Sequence, residues 1–256
     1  MVRIFHGLPL ASTFMVLPTL ALLHGFLGFS RRGPIECFRG VEHALRRVDI
    51  MPLIPEVPPS GTIVERAEAL ARQLFRSNAP AFALVAHSMG GLDARHLIAH
   101  LDPDRRVKSL LTVATPHRGT PLATWVLESR GVIPAWVRHI GQPGLSELTP
   151  EARSATPIPD RSDVAYSSYA GHRPLDEQPF WLRYFGRVIP EANDGMVPVE
   201  SAQWGKFRGV LRTDHVELLG WSLGLPNRLT IRPFDHLDFW IRAAVDAMAA
   251  AEGKSS

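Results

Sequence analysis

Three features of the sequence predict an α/β fold with a mostly parallel sheet and helices on both faces. Short runs at residues 20–23 and 82–87 are apolar almost throughout and that at 107–114 is β-rich, the character of strands in a sheet covered on both faces. Between them lie longer stretches with apolar residues at helical spacing, so strand and helix alternate along the chain. One apolar run ends in a serine framed by small residues, and a helical pattern begins at once, which reads as strand, sharp turn, helix.

The length of 256 residues fits one large domain with a sizeable core, residues 1–256 together. Hydrophobic residues at 45% and charged ones at 21%, without repeats or low-complexity tracts, exclude a disordered or fibrous chain. Lys and Arg exceed Asp and Glu by only 28 to 25, and the pairs Arg31-Arg32, Arg46-Arg47 and Arg105-Arg106 are scattered, which argues against a nucleic-acid partner. Cys37 is the single cysteine, so the chain forms no internal disulfide, and it reads as a small buried hydrophobe. The run Phe14 to Leu23 resembles the core of a secretion leader, yet His24-Gly25 stands where a cleavage site belongs. It therefore reads as a strand of the fold, and with no removable leader visible the cytoplasm is favoured over secretion.

Taken in order, residues 20–23 form the first strand, weakened at its start by Pro18 and followed by the glycine-interrupted loop His24-Gly25-Phe26-Leu27-Gly28-Phe29. Residues 35–47 have helical spacing through Val41, Leu45 and Val48, and residues 49–54 read as a strand closed by Pro52, Pro55, Pro58 and Pro59. Thr62 caps a helix through Phe75, with Glu65 completing a capping box and Val64, Leu70 and Leu74 facing inward. After the strand and helix around the serine comes the strand at 107–114. Residues 121–155 then carry Trp125, Val126, Leu127, Val132, Ile133, Trp136, Val137 and Ile140 among glycines and prolines. That segment is too apolar for free surface and too broken for a core helix; it reads as a cap over a site, with a further packing helix pair as the alternative. Strands at 163–170 and 207–211, an aromatic helix at 179–188 and a closing helix at 236–250 complete the pattern.

The chemistry centres on Ala86-His87-Ser88-Met89-Gly90-Gly91. A turn this sharp holds the serine in a strained conformation that is tolerated only when the residues two before and two after, Ala86 and Gly90, are nearly free of side chain. It lifts the Ser88 hydroxyl clear of the sheet and aims the N–H of Met89, at a helix start, toward the space where an oxyanion forms. A serine hydroxyl needs a histidine to take its proton, and that histidine needs a carboxylate to orient it. Of 11 histidines, His215 follows a strand directly, where the base belongs, whereas His236 opens a long amphipathic helix and reads as a packing or capping residue. His87 adjoins the nucleophile, with its side chain directed away from Ser88. For the acid, Asp194 lies in a glycine-containing loop between the aromatic helix and the His215 strand. Asp214 is a rival but neighbours in sequence rarely face each other, and Asp93 and Asp102 belong to the helix after the serine.

These motifs together resemble the bacterial triacylglycerol lipases, of the Pseudomonas and Burkholderia kind, within the α/β-hydrolase superfamily. The matching stretches are Leu23-His24-Gly25-Phe26-Leu27-Gly28-Phe29, the Ser88 turn, Thr115-Pro116-His117-Arg118-Gly119-Thr120, Tyr166-Ser167-Ser168-Tyr169-Ala170-Gly171, Asn193-Asp194-Gly195-Met196-Val197 and Asp214-His215-Val216-Glu217, in the family's order. The resemblance implies the α/β-hydrolase fold with a helical lid, Ser88 as nucleophile, Asp194 as acid, His215 as base, and the backbone N–H groups of Phe26 and Met89 as oxyanion hole. Ala86 stands where glycine is commoner, as in Bacillus-like lipases, and the family's disulfide is absent. The family's structural calcium would fall near Asp176 and Glu217, although the rest of that site is not recognisable and surface carboxylates are the alternative.

The expected function is carboxylic-ester hydrolysis through an acyl-enzyme on Ser88, with acylglycerols as substrate class, no cofactor for the chemistry and transient contact with a lipid interface. Acyl transfer to another alcohol on the same triad is one alternative. A lipid-binding protein without turnover is another, and it predicts a broken triad.

Overall fold

The computed structural model describes residues 17–28, 30–32, 35–129, 135–221 and 234–253, with backbone alone at 31–32 and 135–140. In chain order the elements are β1 (Thr19–Leu23), the small ribbon of β2 (Arg31–Arg32) and β3 (Ile35–Glu36), α1 (Val41–Arg46), α2 (Ile63–Leu74), β4 (Phe82–His87), α3 (Gly90–His100) and β5 (Val107–Val113). They continue with α4 (Pro121–Glu128), α5 (Ala135–Ser146), α6 (Pro150–Ala155), β6 (Ala165–His172), α7 (Phe180–Gly186), β7 (Lys206–Arg212) and α8 (His236–Ala251). The main sheet has five strands in the order β1-β4-β5-β6-β7, and every neighbouring pair is parallel. All five carboxyl ends therefore lie on one edge, where the connecting loops can meet.

Alternation along the strands feeds two cores. Leu20 and Leu22 of β1 and Ala83 and Val85 of β4 face α1 and α8, where Val41, Leu45, Phe239 and Trp240 complete the packing. Ala21, Leu23, Phe82, Leu84 and Ala86 face the other way, against Ala67, Leu70 and Leu74 of α2 and Ala94, Leu97 and Ile98 of α3. Both faces being covered explains why these strands read as continuous apolar runs. Trp240 is fully buried, meets Phe38 edge-on at 5.0 Å and donates its indole N–H to Leu218 O at 2.6 Å. Burying a side chain of this size is worth roughly 3 kcal/mol, which anchors α8 on the sheet.

Several elements depart from the sequence expectation. The helical spacing at 35–47 yields a helix only from Val41, because Gly40, at φ 70°, turns the chain there and residues 35–36 pair in the ribbon instead. The strand expected at 49–54 is reduced to one bridge, Leu53 to Ala21, because Pro52 and Pro55 have no N–H to donate. Thr62 and Glu65 form the capping box, but Ile63 and not Val64 turns inward; Val64 is 44% exposed. The strand expected at 163–170 runs two residues later. Cys37 is buried. Phe14, Met15 and Val16, together with Phe29, Val132 and Ile133, lie outside the described residues, as do the side chains of Trp136, Val137 and Ile140. No helix among the described residues is long and apolar enough to cross a membrane.

Candidate active site

Ser88 follows β4 in the left-handed region, at φ 56°, and α3 starts two residues later. A side chain with a Cβ pays for this conformation, and the surroundings hold it there. Its N–H donates to Val113 O at 2.9 Å and its carbonyl accepts from Thr115 Oγ1 at 2.7 Å, so the β5 end grips the turn from one side. A Cβ on Gly90 would lie 2.8 Å from His24 O, and one on Gly91 would lie 2.3 Å from Thr115 Oγ1, which is why both positions are glycine.

The structure brings Ser88, His215 and Asp194 into one line. His215 Nε2 lies 3.0 Å from Ser88 Oγ, and His215 Nδ1 lies 2.7 Å from Asp194 Oδ2. Asp194 is fully buried; its other oxygen accepts from the Met196 and Val197 N–H groups at 3.0 and 2.8 Å, and its carbonyl accepts from His215 N at 2.9 Å. A carboxylate so held keeps the imidazole turned toward the serine. The rival residues are occupied elsewhere. Asp214 faces Arg173, Asp93 pairs with Arg66, Asp102 pairs with Arg161, and His236 meets Arg39 O at 2.9 Å. His87 was expected to be a bystander, yet its ring packs on that of His215 with centroids 4.5 Å apart, and its Nε2 reaches His215 O at 3.2 Å. Burial first, and the neighbouring His215 second, hold the His87 imidazole well below the usual histidine range.

Met89 follows the nucleophile in the chain, and Phe26 lines the same cavity as Ser88. Among the described residues neither donates to a backbone acceptor, whereas the adjoining Leu27 and Gly28 amides are bonded to Pro59 O and Gly25 O. Gly25 lies so close to the nucleophile that a Cβ there would be 2.6 Å from Ser88 Cβ. Sequence reasoning missed what supports this loop. Arg66, fully buried on α2, donates to His24 O and Gly25 O at 3.0 and 3.2 Å and pairs with Asp93 of α3 at 2.8 Å. Burial raises the Asp93 carboxyl to about 6 against the pull of Arg66, and burial pushes the His24 imidazole down to about 4.

The carboxylates considered for calcium do not form a cation cage. Asp176 is exposed, while Glu217 is bonded to Arg173 and also accepts from Thr213 Oγ1 at 2.9 Å. The Arg173 guanidinium thus engages one of the two carboxylates, and among the described residues no cluster of His, Cys, Asp and Glu suited to a metal is found.

Ser88 and His215 open on a cavity of about 400 Å³ with a largely apolar lining. Its roof comes from Leu122, Ala123 and Val126 of α4, Leu145 of α5, Leu148, and Phe185 of α7. From the segment 121–155, residues of α4 and the end of α5 thus line the cavity while α6 does not, and Pro143 interrupts the hydrogen bonding of α5.

A metagenomic carboxyl esterase superposes on the chain with a TM-score of 0.67 at 20% identity, covering 94% of this chain and 76% of that one. The chain has the α/β-hydrolase fold. The mature form of a Bacillus licheniformis lipase matches the chain with a TM-score of 0.65 at 18% identity, over 84% of this chain and 89% of that one. Residues 66–128, from α2 through the serine turn to α4, match the PGAP1-like alpha/beta domain. In sequence the chain is 29% identical to triacylglycerol lipase 2 of Saccharomyces cerevisiae over 73% of this chain and 63% of that protein. A triacylglycerol lipase of Pseudomonas fragi is 29% identical over 41% of this chain and 36% of that one. The chain thus spans less than two thirds of the length of these curated relatives.

Proposed function

We propose that this α/β-hydrolase is a serine carboxylic-ester hydrolase of the lipase and esterase kind that cleaves acyl esters, acylglycerols among them. The observation that carries the reading is the unbroken run from Asp194 through His215 to Ser88, with contacts of 2.7 and 3.0 Å, at the floor of an apolar cavity. A cavity of about 400 Å³ suits an acyl group. The names of the yeast and Pseudomonas fragi relatives support an acylglycerol substrate, and the motif set supports a place near the Pseudomonas and Burkholderia lipases.

In this mechanism His215 Nε2 takes the Ser88 proton as Oγ attacks the ester carbonyl, and the imidazolium formed is stabilised by Asp194. The carbonyl oxygen becomes an oxyanion that accepts from the Phe26 and Met89 N–H groups. The tetrahedral species collapses when the alkoxide leaves with the proton from His215, and Ser88 is left acylated. Water then enters, gives its proton to His215 and releases the acid by the same steps in reverse. The segment 121–155 acts as a lid that shields the acyl group from water and opens at a lipid surface.

A fluorophosphonate label and a chain-length series of p-nitrophenyl esters test this reading. Covalent modification at Ser88 with turnover of the esters is the expected result. A protein that takes no label and turns over no ester is a lipid binder, and the proposal fails.

A further inference from the structure

Arg173 is placed immediately after β6, and its groups reach both loops that deliver the base and the acid. Its N–H donates to Asn193 O at 3.2 Å, next to Asp194, and its carbonyl accepts from Gln178 Nε2 at 2.8 Å. Its guanidinium forks in the other direction. Nη1 meets Asp214 Oδ2 at 3.2 Å, and Nη2 meets Glu217 Oε2. Those two carboxylates bracket His215. Asp214 Oδ1 accepts from the Val216 and Glu217 N–H groups at 3.1 and 2.9 Å, and Glu217 accepts from Thr213 Oγ1 at 2.9 Å and from Phe234 N at 3.3 Å. Every residue on either side of His215 is therefore fixed to a cluster that has this guanidinium at its centre. The side chains of Arg173 and Asp214 are 4% and 5% exposed, so water does not supply a substitute for the contact.

We infer that Arg173 is a positioning residue for the reaction: its buried guanidinium ties the His215 loop to the same residue whose backbone N–H holds the Asp194 loop. The inference rests on the proposed serine-hydrolase reading. A planar fork with fixed donors suits two carboxylates on one loop better than a single ammonium does. Misplacing His215 by a fraction of its hydrogen-bond length lowers the rate while leaving the acyl cavity intact, because Arg173 does not line that cavity.

The test compares the parent with Arg173→Met, Arg173→Lys and Arg173→Gly on soluble p-nitrophenyl butyrate, with active sites counted by fluorophosphonate labelling run to completion. The kcat per counted site is expected to fall about tenfold or more in the Met variant while KM moves by less than about twofold. The Lys variant is expected to recover part of the loss, and methylguanidinium added to the Gly variant to restore activity in a saturable way. A parent-like kcat per counted site in the Met and Lys variants, with a lower melting temperature alone, overturns the inference and makes Arg173 merely structural. If the Met variant does not fold, Arg173→Met combined with Asp214→Asn and Glu217→Gln replaces it, since no carboxylate is then left unpaired. Loss of kcat there supports the inference, and a parent-like kcat overturns it. Failure of the underlying reading looks different, because then the parent itself takes no label at Ser88.

Discussion

The ring of His87 lies 4.5 Å from that of His215, inclined at 47°, and its Nε2 reaches the carbonyl of the same residue. Because burial holds the His87 imidazole well below the usual histidine range, on the proposed mechanism it supports His215 without placing a second positive charge beside it. His87→Phe keeps the ring and removes the hydrogen bond. We expect kcat to fall about fivefold, the worth of one hydrogen bond near 1 kcal/mol, with a melting temperature near that of the parent. An unchanged kcat on a soluble ester would show that the contact with the base has no part in turnover.

Ser88→Ala, His215→Ala and Asp194→Ala are each expected to lower kcat by about 10⁴-fold or more, and the double variants to lose little beyond that, since the three act as a unit. His236→Ala is expected to hydrolyse esters normally, because His236 meets Arg39 O and not Ser88. Steady-state rates on one soluble ester decide between this assignment and one based on His236.

Gly25→Ala tests the close approach of the loop after β1 to Ser88 and the proposed part of Phe26 N–H in the oxyanion hole. The added methyl would stand 2.6 Å from Ser88 Cβ and 3.0 Å from its Oγ, so the loop or the serine must shift. We expect about a hundredfold loss of kcat, in the range seen when one oxyanion donor is removed. Retained activity would mean that Phe26 N–H is not one of the donors.

Stability is expected to fall as the pH drops below about 6.5. His24 is pushed down to about 4, and His87 and His117 lie well below the usual histidine value, in each case with burial as the largest cause. The unfolded chain binds protons near 6.5 while these native imidazoles do not, so their contribution is fully present above 6.5 and is lost toward 4. Asp93, raised to about 6, works the other way, since the native state takes up its proton first. Three histidines outweigh that one carboxyl. Melting temperatures between pH 7.5 and 4.5 should decline, and His117→Phe should flatten the decline; a rise on acidification would contradict the account.

Trp125 packs edge-on against Tyr184 and Phe185, at 5.7 and 6.3 Å, and Phe185 lines the acyl cavity. Trp125→Ser is expected to weaken hydrolysis of an emulsion much more than hydrolysis of a soluble short ester, because the apolar contact changes and the triad does not. Equal losses on both substrates would make α4 ordinary core.

What could be read from the sequence was whatever local pattern encodes. Ser88 was legible because the strained turn demands small neighbours on both sides, and those neighbours are adjacent in the chain. Asp194 and His215 were legible from their positions after elements and from chain order. The strand expected at 49–54 was misread because apolar content says nothing about missing N–H donors. Arg66 with Asp93, and Arg173 with Asp214 and Glu217, were not legible at all. Those partners are 27, 41 and 44 positions apart, so no local spacing records them. His87 escaped for another reason: adjacency to the serine suggested a side chain pointing elsewhere, whereas the ring turns onto the base.

The all-parallel order of the main sheet has a consequence for how the chain matures. Ser88 and His215 are separated by 127 positions, and the strands that end at them, β4 and β7, are separated by β5 and β6. Contacts so distant in sequence form late, after the loop entropy of each crossover has been overcome. During synthesis Ser88 emerges long before His215, so on the proposed mechanism a growing chain carries an inert serine until β7 has docked. Ester turnover during refolding should therefore appear after burial of the β1 and β4 core, which makes catalysis a stopwatch for the final step of assembly.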